Sequence, residues 1–229
     1  MDISKPTTTR TKQDIENFNK GWDRIFGKRI AVTFEHDFSD YAKLWRDYYS
    51  QFMDIKIIKI GDMLRNDWGA TTKLLNSTQE ELFKKYDLIL YADVDEILIP
   101  DPEHYRDLGE YLTTVKGVAR CTGYNVVELE GDKPLELDKP ILTQRGNWIR
   151  DKLYDKFVIL TEPQHFLNNH HISNEVPCDP NLVMFHLRDS DIARAKERNK
   201  KLGVTFNQQD LDSRRQNTTK IPDKWLNLV

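Results

Sequence analysis

The chain is short of cysteine. Only Cys121 and Cys178 occur among its 229 residues, in no recognised metal-binding spacing and too few for a disulfide framework. That argues against a disulfide-stapled extracellular module and fits a reducing, cytoplasmic setting. No apolar run approaches the roughly 18 residues a membrane span requires. The opening stretch, Met1 to Arg10, holds no apolar core of the kind a secretory leader carries. Neither sign of charge dominates: 34 Lys and Arg against 37 Asp and Glu leave a formal net charge of -3. The basic footprint of a nucleic-acid binder is therefore missing, and no nucleic-acid partner is expected. Internal repeats and low-complexity segments are also lacking.

What remains is ordinary for a soluble globular domain: 38% hydrophobic and 31% charged residues. A chain of this length can bury one substantial core. We expect residues 1–20 to be a flexible N-terminal segment, 21–203 the folded domain, and 204–229 a C-terminal tail or a linker. Within the domain, strand-like and helix-like patterns alternate. Arg29–Glu35 and Ile55–Ile60 read as strands. Between them Asp40–Gln51 reads as a helix, with Tyr41, Leu44, Trp45, Tyr48 and Phe52 at core spacing. A helix from about Ser77 to Lys85 leads into a third strand. This alternation with short connections predicts an α/β fold with right-handed crossovers and a mostly parallel central sheet flanked by helices. Short strands at 117–128, 140–144, 156–160 and 182–187 follow, then a charged helix at 189–201.

The densest chemical signal lies in Tyr86–Pro100. An apolar run, Leu88 to Ala92, breaks into three carboxylates, Asp93, Asp95 and Glu96. Such a run reads as a strand buried on both faces, and open α/β sheets bind ligands at the carboxyl ends of their strands. In extended chain Asp93 and Asp95 point the same way, with Val94 facing the core. Two converging carboxylates repel unless a cation neutralises them, and hard oxygen ligands suit Mg²⁺ or Mn²⁺.

This run resembles the Asp-x-Asp motif of metal-dependent glycosyltransferases with the GT-A fold. Gly123-Tyr-Asn-Val-Val, Lys139-Pro-Ile-Leu-Thr-Gln-Arg145, Tyr154-Asp-Lys156 and Val183-Met-Phe-His-Leu-Arg188 are similar, in order and spacing, to segments of family 2 and family 92-like glycosyltransferases. The likeness covers roughly residues 29–202. It implies a Rossmann-like, nucleotide-diphospho-sugar transferase fold. The activity implied is hexosyl transfer from a UDP- or GDP-sugar to a glycan acceptor with inversion, assisted by Mn²⁺ or Mg²⁺.

Glycosyl transfer needs a neutralised diphosphate, a held donor and a deprotonated acceptor hydroxyl. For the metal we expect Asp93, Asp95 and His186, the last ending another apolar run. For the donor we expect Phe34 and Glu35 at the end of the first strand, Asp62 at the end of the second, Asp93, and the cations Arg145 and Lys156. Trp148 and His171 are expected at the acceptor. Glu96, Glu128 and Asp155 are candidates for acid–base chemistry. Two rivals use the same sequence features. One is a phosphatase or nucleotidyltransferase acting at the acidic strand end, although Glu96-Ile97 stands where a haloacid-dehalogenase-type phosphatase has Gly-Thr. The other is a nucleotide-sugar or glycan-binding module without turnover.

Overall fold

The computed structural model describes residues 27–35, 39–60, 67–168, 170–201, 203 and 205–226. It begins with β1 (Arg29–Glu35), α1 (Ser39–Tyr49), β2 (Asp54–Lys59), α2 (Trp68–Leu82) and β3 (Leu88–Tyr91). Both β2 and β3 run parallel to β1, so this half of the sheet has the expected crossover topology. After β3 the chain turns and runs out again as β4 (Glu96–Pro100).

The second half contains α3 (Leu108–Leu112), β5 (Val118–Val126), α4 (Ile141–Gln144), β6 (Asn147–Arg150), β7 (Phe157–Leu160) and β8 (Cys178–His186). Then come α5 (Ile192–Lys201), α6 (Gln208–Gln216) and β9 (Thr219–Lys220). β7 lies antiparallel between β3 and β5. β5 also pairs with β6 antiparallel and with β8 parallel, while β4 is antiparallel to β8. The fold is α/β with a mixed sheet, which corrects the expected mostly parallel one. Among the described residues, three strand pairings are parallel and five antiparallel. All four residues of β7 are buried, and an apolar run buried on both faces carries no signal of direction.

Other differences are local. The stretch 140–144 is a helical turn rather than a strand, entered from Pro140, whose fixed φ suits a helix start. α2 starts at Trp68, well before Ser77, because the Asp67 carboxylate caps it by accepting from the Ala70 amide at 2.9 Å. The segment after 203 packs on the domain. β9 extends the sheet beside β6, and Leu211, Ile221 and Trp225 are buried.

The core lies on both faces of the sheet. Leu88 and Leu90 of β3 face Ala31, Trp45 and Tyr49 on one side, while Ile89 and Tyr91 face Leu75, Leu82 and Phe166 on the other. Each fully buried aliphatic side chain contributes about 1.5–3 kcal/mol relative to exposure. The aromatics of α1 also have a polar duty. The Tyr49 hydroxyl accepts from the Leu98 amide at 3.0 Å and donates to the Glu96 carbonyl at 3.2 Å. Tyr48 donates to the Leu98 carbonyl at 2.7 Å. These hydroxyls satisfy backbone groups on the edge of β4 away from β8 and fix the strand that follows the acidic turn. No helix among the described residues is long and apolar enough to cross a membrane.

Candidate active site

The acidic run is a turn, not an extension of β3. The Glu96 amide donates to the Asp93 carbonyl at 2.9 Å, and the Asp93 amide donates to Glu96 Oε2 at 2.8 Å. Val94 is half-buried at the turn rather than in the core. The convergence expected for Asp93 and Asp95 is therefore replaced by two separate sets of partners on either side of the turn.

On the first side Lys156 donates to Asp93 Oδ2 at 2.8 Å and to Glu96 Oε1. Lys156 and Glu96 are buried, whereas the Asp93 side chain is 49% exposed. Partial desolvation works against the Asp93 charge, yet the Lys156 ammonium holds its carboxyl below the usual carboxylate range. Glu96 goes the other way: burial, aided by the charges of Asp93 and Asp95, pushes it up to about 7 despite Lys156. The carboxylates raise the Lys156 ammonium above its ordinary value, against the effect of burial. Lys156 is thus held by both carboxylates of this side of the turn.

On the second side Arg198 Nη1 donates to Asp95 Oδ2 at 2.8 Å. Burial opposes the Asp95 charge, but His186, Arg198 and Lys156 bring its carboxyl down to about 2. His186 Nε2 stands 3.6 Å from Asp95 Oδ2. Burial, with the neighbouring cations Lys156, Arg198 and Arg188, lowers His186 to about 3 against the pull of Asp95, so the imidazole is neutral at neutral pH. The Tyr154 ring stacks on it with centroids 3.9 Å apart. That contact depends on Gly123: a Cβ there would lie 2.4 Å from the Tyr154 carbonyl oxygen and Cβ, pushing away the turn that carries Tyr154.

Beside the turn, at the carboxyl ends of β1 and β3, a pocket of about 40 Å³ lies between Phe34, Leu75, Tyr91 and Phe166, with Asp93, Glu96 and Lys156 at its polar end. The buried Tyr91 hydroxyl has no hydrogen-bond partner among the described residues. Phe34 thus lines this pocket, while the half-buried Glu35 is not among the lining residues. Asp62 lies outside the described residues.

Several expected residues are engaged elsewhere. Arg145 is buried and donates to the carbonyls of Ser190 and Gln144, with Glu128 at 3.6 Å. The arginine braces the loop before α5 and touches no member of the acidic turn. Glu128 accepts from the Ile192 amide at 2.9 Å at the start of α5, and Asp155 accepts from the Gly123 amide at 3.0 Å and from Arg150 at 2.6 Å. Each carboxylate thus accepts from a backbone amide in this arrangement. Trp148 is buried in the core, where it stacks with Tyr124 and Phe185. His171 is exposed at the end of a tight turn, where its amide is held by Asn168 Oδ1 at 2.9 Å.

Arg198, Asn125, Asp151 and Arg188 complete the site and were not singled out from sequence. Asn125 had a legible signal, a polar residue within the apolar strand segment Gly123–Val127. Arg188 is exposed and forms no hydrogen bond or ion pair among the described residues, yet its charge acts on Tyr154 and His186.

Among the described residues, no group of three or more His, Cys, Asp and Glu side chains is placed to hold a metal ion. Asp95 and His186 still form a fitting pair, because a carboxylate oxygen and a neutral ring nitrogen 3.6 Å apart can be neighbouring ligands of one ion. Mg²⁺-type sites characteristically take one or two protein ligands and complete the shell with water and phosphate. Compared with known proteins, the chain matches no family model, and no curated protein is significantly similar to it in sequence.

Proposed function

We propose that this chain is a metal-assisted glycosyltransferase of GT-A type that moves a hexose from a nucleoside diphosphate sugar to a glycan acceptor. The observation that carries the reading is the facing pair of Asp95 Oδ2 and neutral His186 Nε2, in the turn after a doubly buried strand whose neighbouring residues Asp93 and Glu96 line a pocket at the carboxyl ends of parallel strands. The base or sugar of the donor lies against Phe34 and Tyr91, whose free hydroxyl takes a hydrogen bond partner from it. Asp93, half-exposed and fixed by Lys156, accepts from a sugar hydroxyl. Asp95 and His186 hold Mn²⁺ or Mg²⁺, which when bound supplies Lewis-acid neutralisation of the diphosphate leaving group. Arg188, free and cationic beside them, takes over the phosphate contact expected of Arg145 and Lys156.

A second reading has its own support. Lys156 and Arg198 already neutralise the carboxylates, as they would in a nucleotide-sugar or glycan-binding module that needs no metal and turns nothing over. Incubation with a panel of nucleotide sugars, with and without Mn²⁺, separates the two. Metal-dependent hydrolysis of one donor, lost in Asp95→Ala, is the expected result. Saturable binding that is indifferent to Mn²⁺, without turnover across broad acceptor pools, favours the module. Release of phosphate from simple phosphomonoesters with no nucleotide-sugar hydrolysis points instead to a phosphatase.

A further inference from the structure

His186 is held from behind by a chain of side chains that leads away from the pocket. Asn125, fully buried at the β5 position paired with His186, places its Oδ1 against His186 Nδ1. The Asn125 Nδ2 donates to Asp151 Oδ2 at 2.8 Å. Direction along this chain is not free. A carboxylate only accepts, so Asp151 must face the NH₂ group of the Asn125 amide, and the carbonyl oxygen must face the imidazole. That oxygen can only accept, so in a neutral ring Nδ1 carries the proton. The Nε2 lone pair is then left facing Asp95.

Asp151 is itself fixed. Its Oδ1 accepts from the Leu153 amide at 3.0 Å, capping the short turn Lys152–Tyr154, and Arg214 of α6 lies 3.9 Å from its Oδ2. The capped turn carries Tyr154, the ring that stacks on His186. One carboxylate therefore governs both the proton position on the imidazole and the ring packed against it.

We infer that Asp151 and Asn125 are positioning residues that hold His186 as its Nδ1–H tautomer, so that Nε2 is presented bare to the space it shares with Asp95. A metal-ligating imidazole needs such a partner on its other nitrogen. The use of the bare nitrogen for a metal rests on the proposed function; the tautomer does not.

The test is long-range ¹H–¹⁵N NMR on histidine-labelled, metal-free protein at mildly alkaline pH, where the two nitrogens of a neutral ring separate into protonated and unprotonated ranges. His186 is expected to show a protonated Nδ1 and a bare Nε2. In Asp151→Ala the Asn125 amide is released to turn over and donate to Nδ1, so the Nε2–H tautomer should appear. The exchanged pair Asn125→Asp with Asp151→Asn restores the contact and the turn cap together. In it the residue at 151 can donate to the carboxylate at 125, which accepts from Nδ1–H, and the original tautomer should return. Asp151→Asn alone can keep the cap through its Oδ1 while turning its NH₂ group to Asn125, so it too should shift the proton to Nε2, a result that loss of the cap cannot explain. A wild-type His186 with its proton on Nε2, or a tautomer unmoved by Asp151→Ala, would overturn the inference. In a second arm, Mn²⁺ affinity in the presence of nucleoside diphosphate should fall ten- to a hundredfold in Asp151→Ala. If the tautomer behaves as described but wild-type protein binds no metal, the inference stands and the metal-assisted reading of the site fails.

Discussion

The two sides of the acidic turn are built alike in charge and differently in completeness. Around Asp93 and Glu96 the negative charge meets a buried ammonium that contacts both carboxylates. Around Asp95 the Arg198 guanidinium donates to Oδ2, and a bare imidazole nitrogen faces the same carboxylate oxygen. Two acceptors turned towards each other cost free energy unless something stands between them or beside both. Adjacent carboxylates on one turn can thus be assigned opposite duties by what the rest of the fold brings to them. Lys156 ties the carboxylates of the first side together; on the second, His186 Nε2 and Asp95 Oδ2 face each other.

The largest test of this contrast is removal of Lys156. Lys156→Ala leaves Glu96 buried beside Asp93 with no cation, and breaking a buried pair in this way costs about 3–5 kcal/mol. Urea unfolding should show that loss at about pH 8. It should be smaller near pH 6, where Glu96 takes a proton. A small, pH-independent loss would mean that Lys156 is a surface partner after all.

Next in size is a pH effect hidden by cancellation. His186 falls from 6.5 to about 3 on folding. The unfolded chain therefore binds a proton that the folded one refuses, and stability drops as pH falls below 6.5. Glu96 rises from 4.5 to about 7, so it favours the folded state as pH falls through that range. Between pH 6.5 and 4.5 the two contributions oppose each other. Glu96→Gln removes one of them, and metal-free variant protein should lose up to about 1.4 kcal/mol per pH unit across that window. Wild type should stay nearly level with respect to these two groups. Parallel profiles for the two proteins would contradict the assignment.

The smallest effects on stability distinguish the two arginines. Arg188→Ala should leave unfolding within about 0.5 kcal/mol of wild type. It should still weaken a nucleoside diphosphate about tenfold, as expected for one lost hydrogen bond to a charged group, and the free nucleoside hardly at all. Arg145→Ala should do the reverse, lowering stability without discriminating among nucleoside, monophosphate and diphosphate. Calorimetric titration of both variants with all three ligands checks the pair.

Much of the frame was legible because burial leaves a compositional trace. Arg29–Glu35 and Leu88–Ala92 read as strands from their apolar runs, and Trp45 and Tyr48 read as core from helical spacing. The acidic turn was found for the same reason, as polar residues breaking a buried run. Its geometry was not, since nothing local says that the chain reverses at Val94 and pairs Ile97–Pro100 with a strand more than eighty residues on. Partners across long separations were equally hidden: Lys156 meets Asp93 across 63 residues and Arg198 meets Asp95 across 103. Trp148 and Arg145 were misplaced because an aromatic or a cation looks the same in sequence whether it faces a ligand or fills the interior. Both are buried here.

The central claim is that the Asp95–His186 side of the turn is the metal side, and paramagnetic broadening of the His186 ring resonances during a Mn²⁺ titration tests it most directly. With a nucleoside diphosphate present, substoichiometric Mn²⁺ should broaden the His186 signals well before those of the exposed His171, and Asp95→Ala should abolish that preference. Because His186 is already neutral, the response should be the same at pH 6 as at pH 8. His186 signals that stay sharp in wild-type protein while Mn²⁺ broadens others, or that broaden equally in Asp95→Ala, would contradict the account.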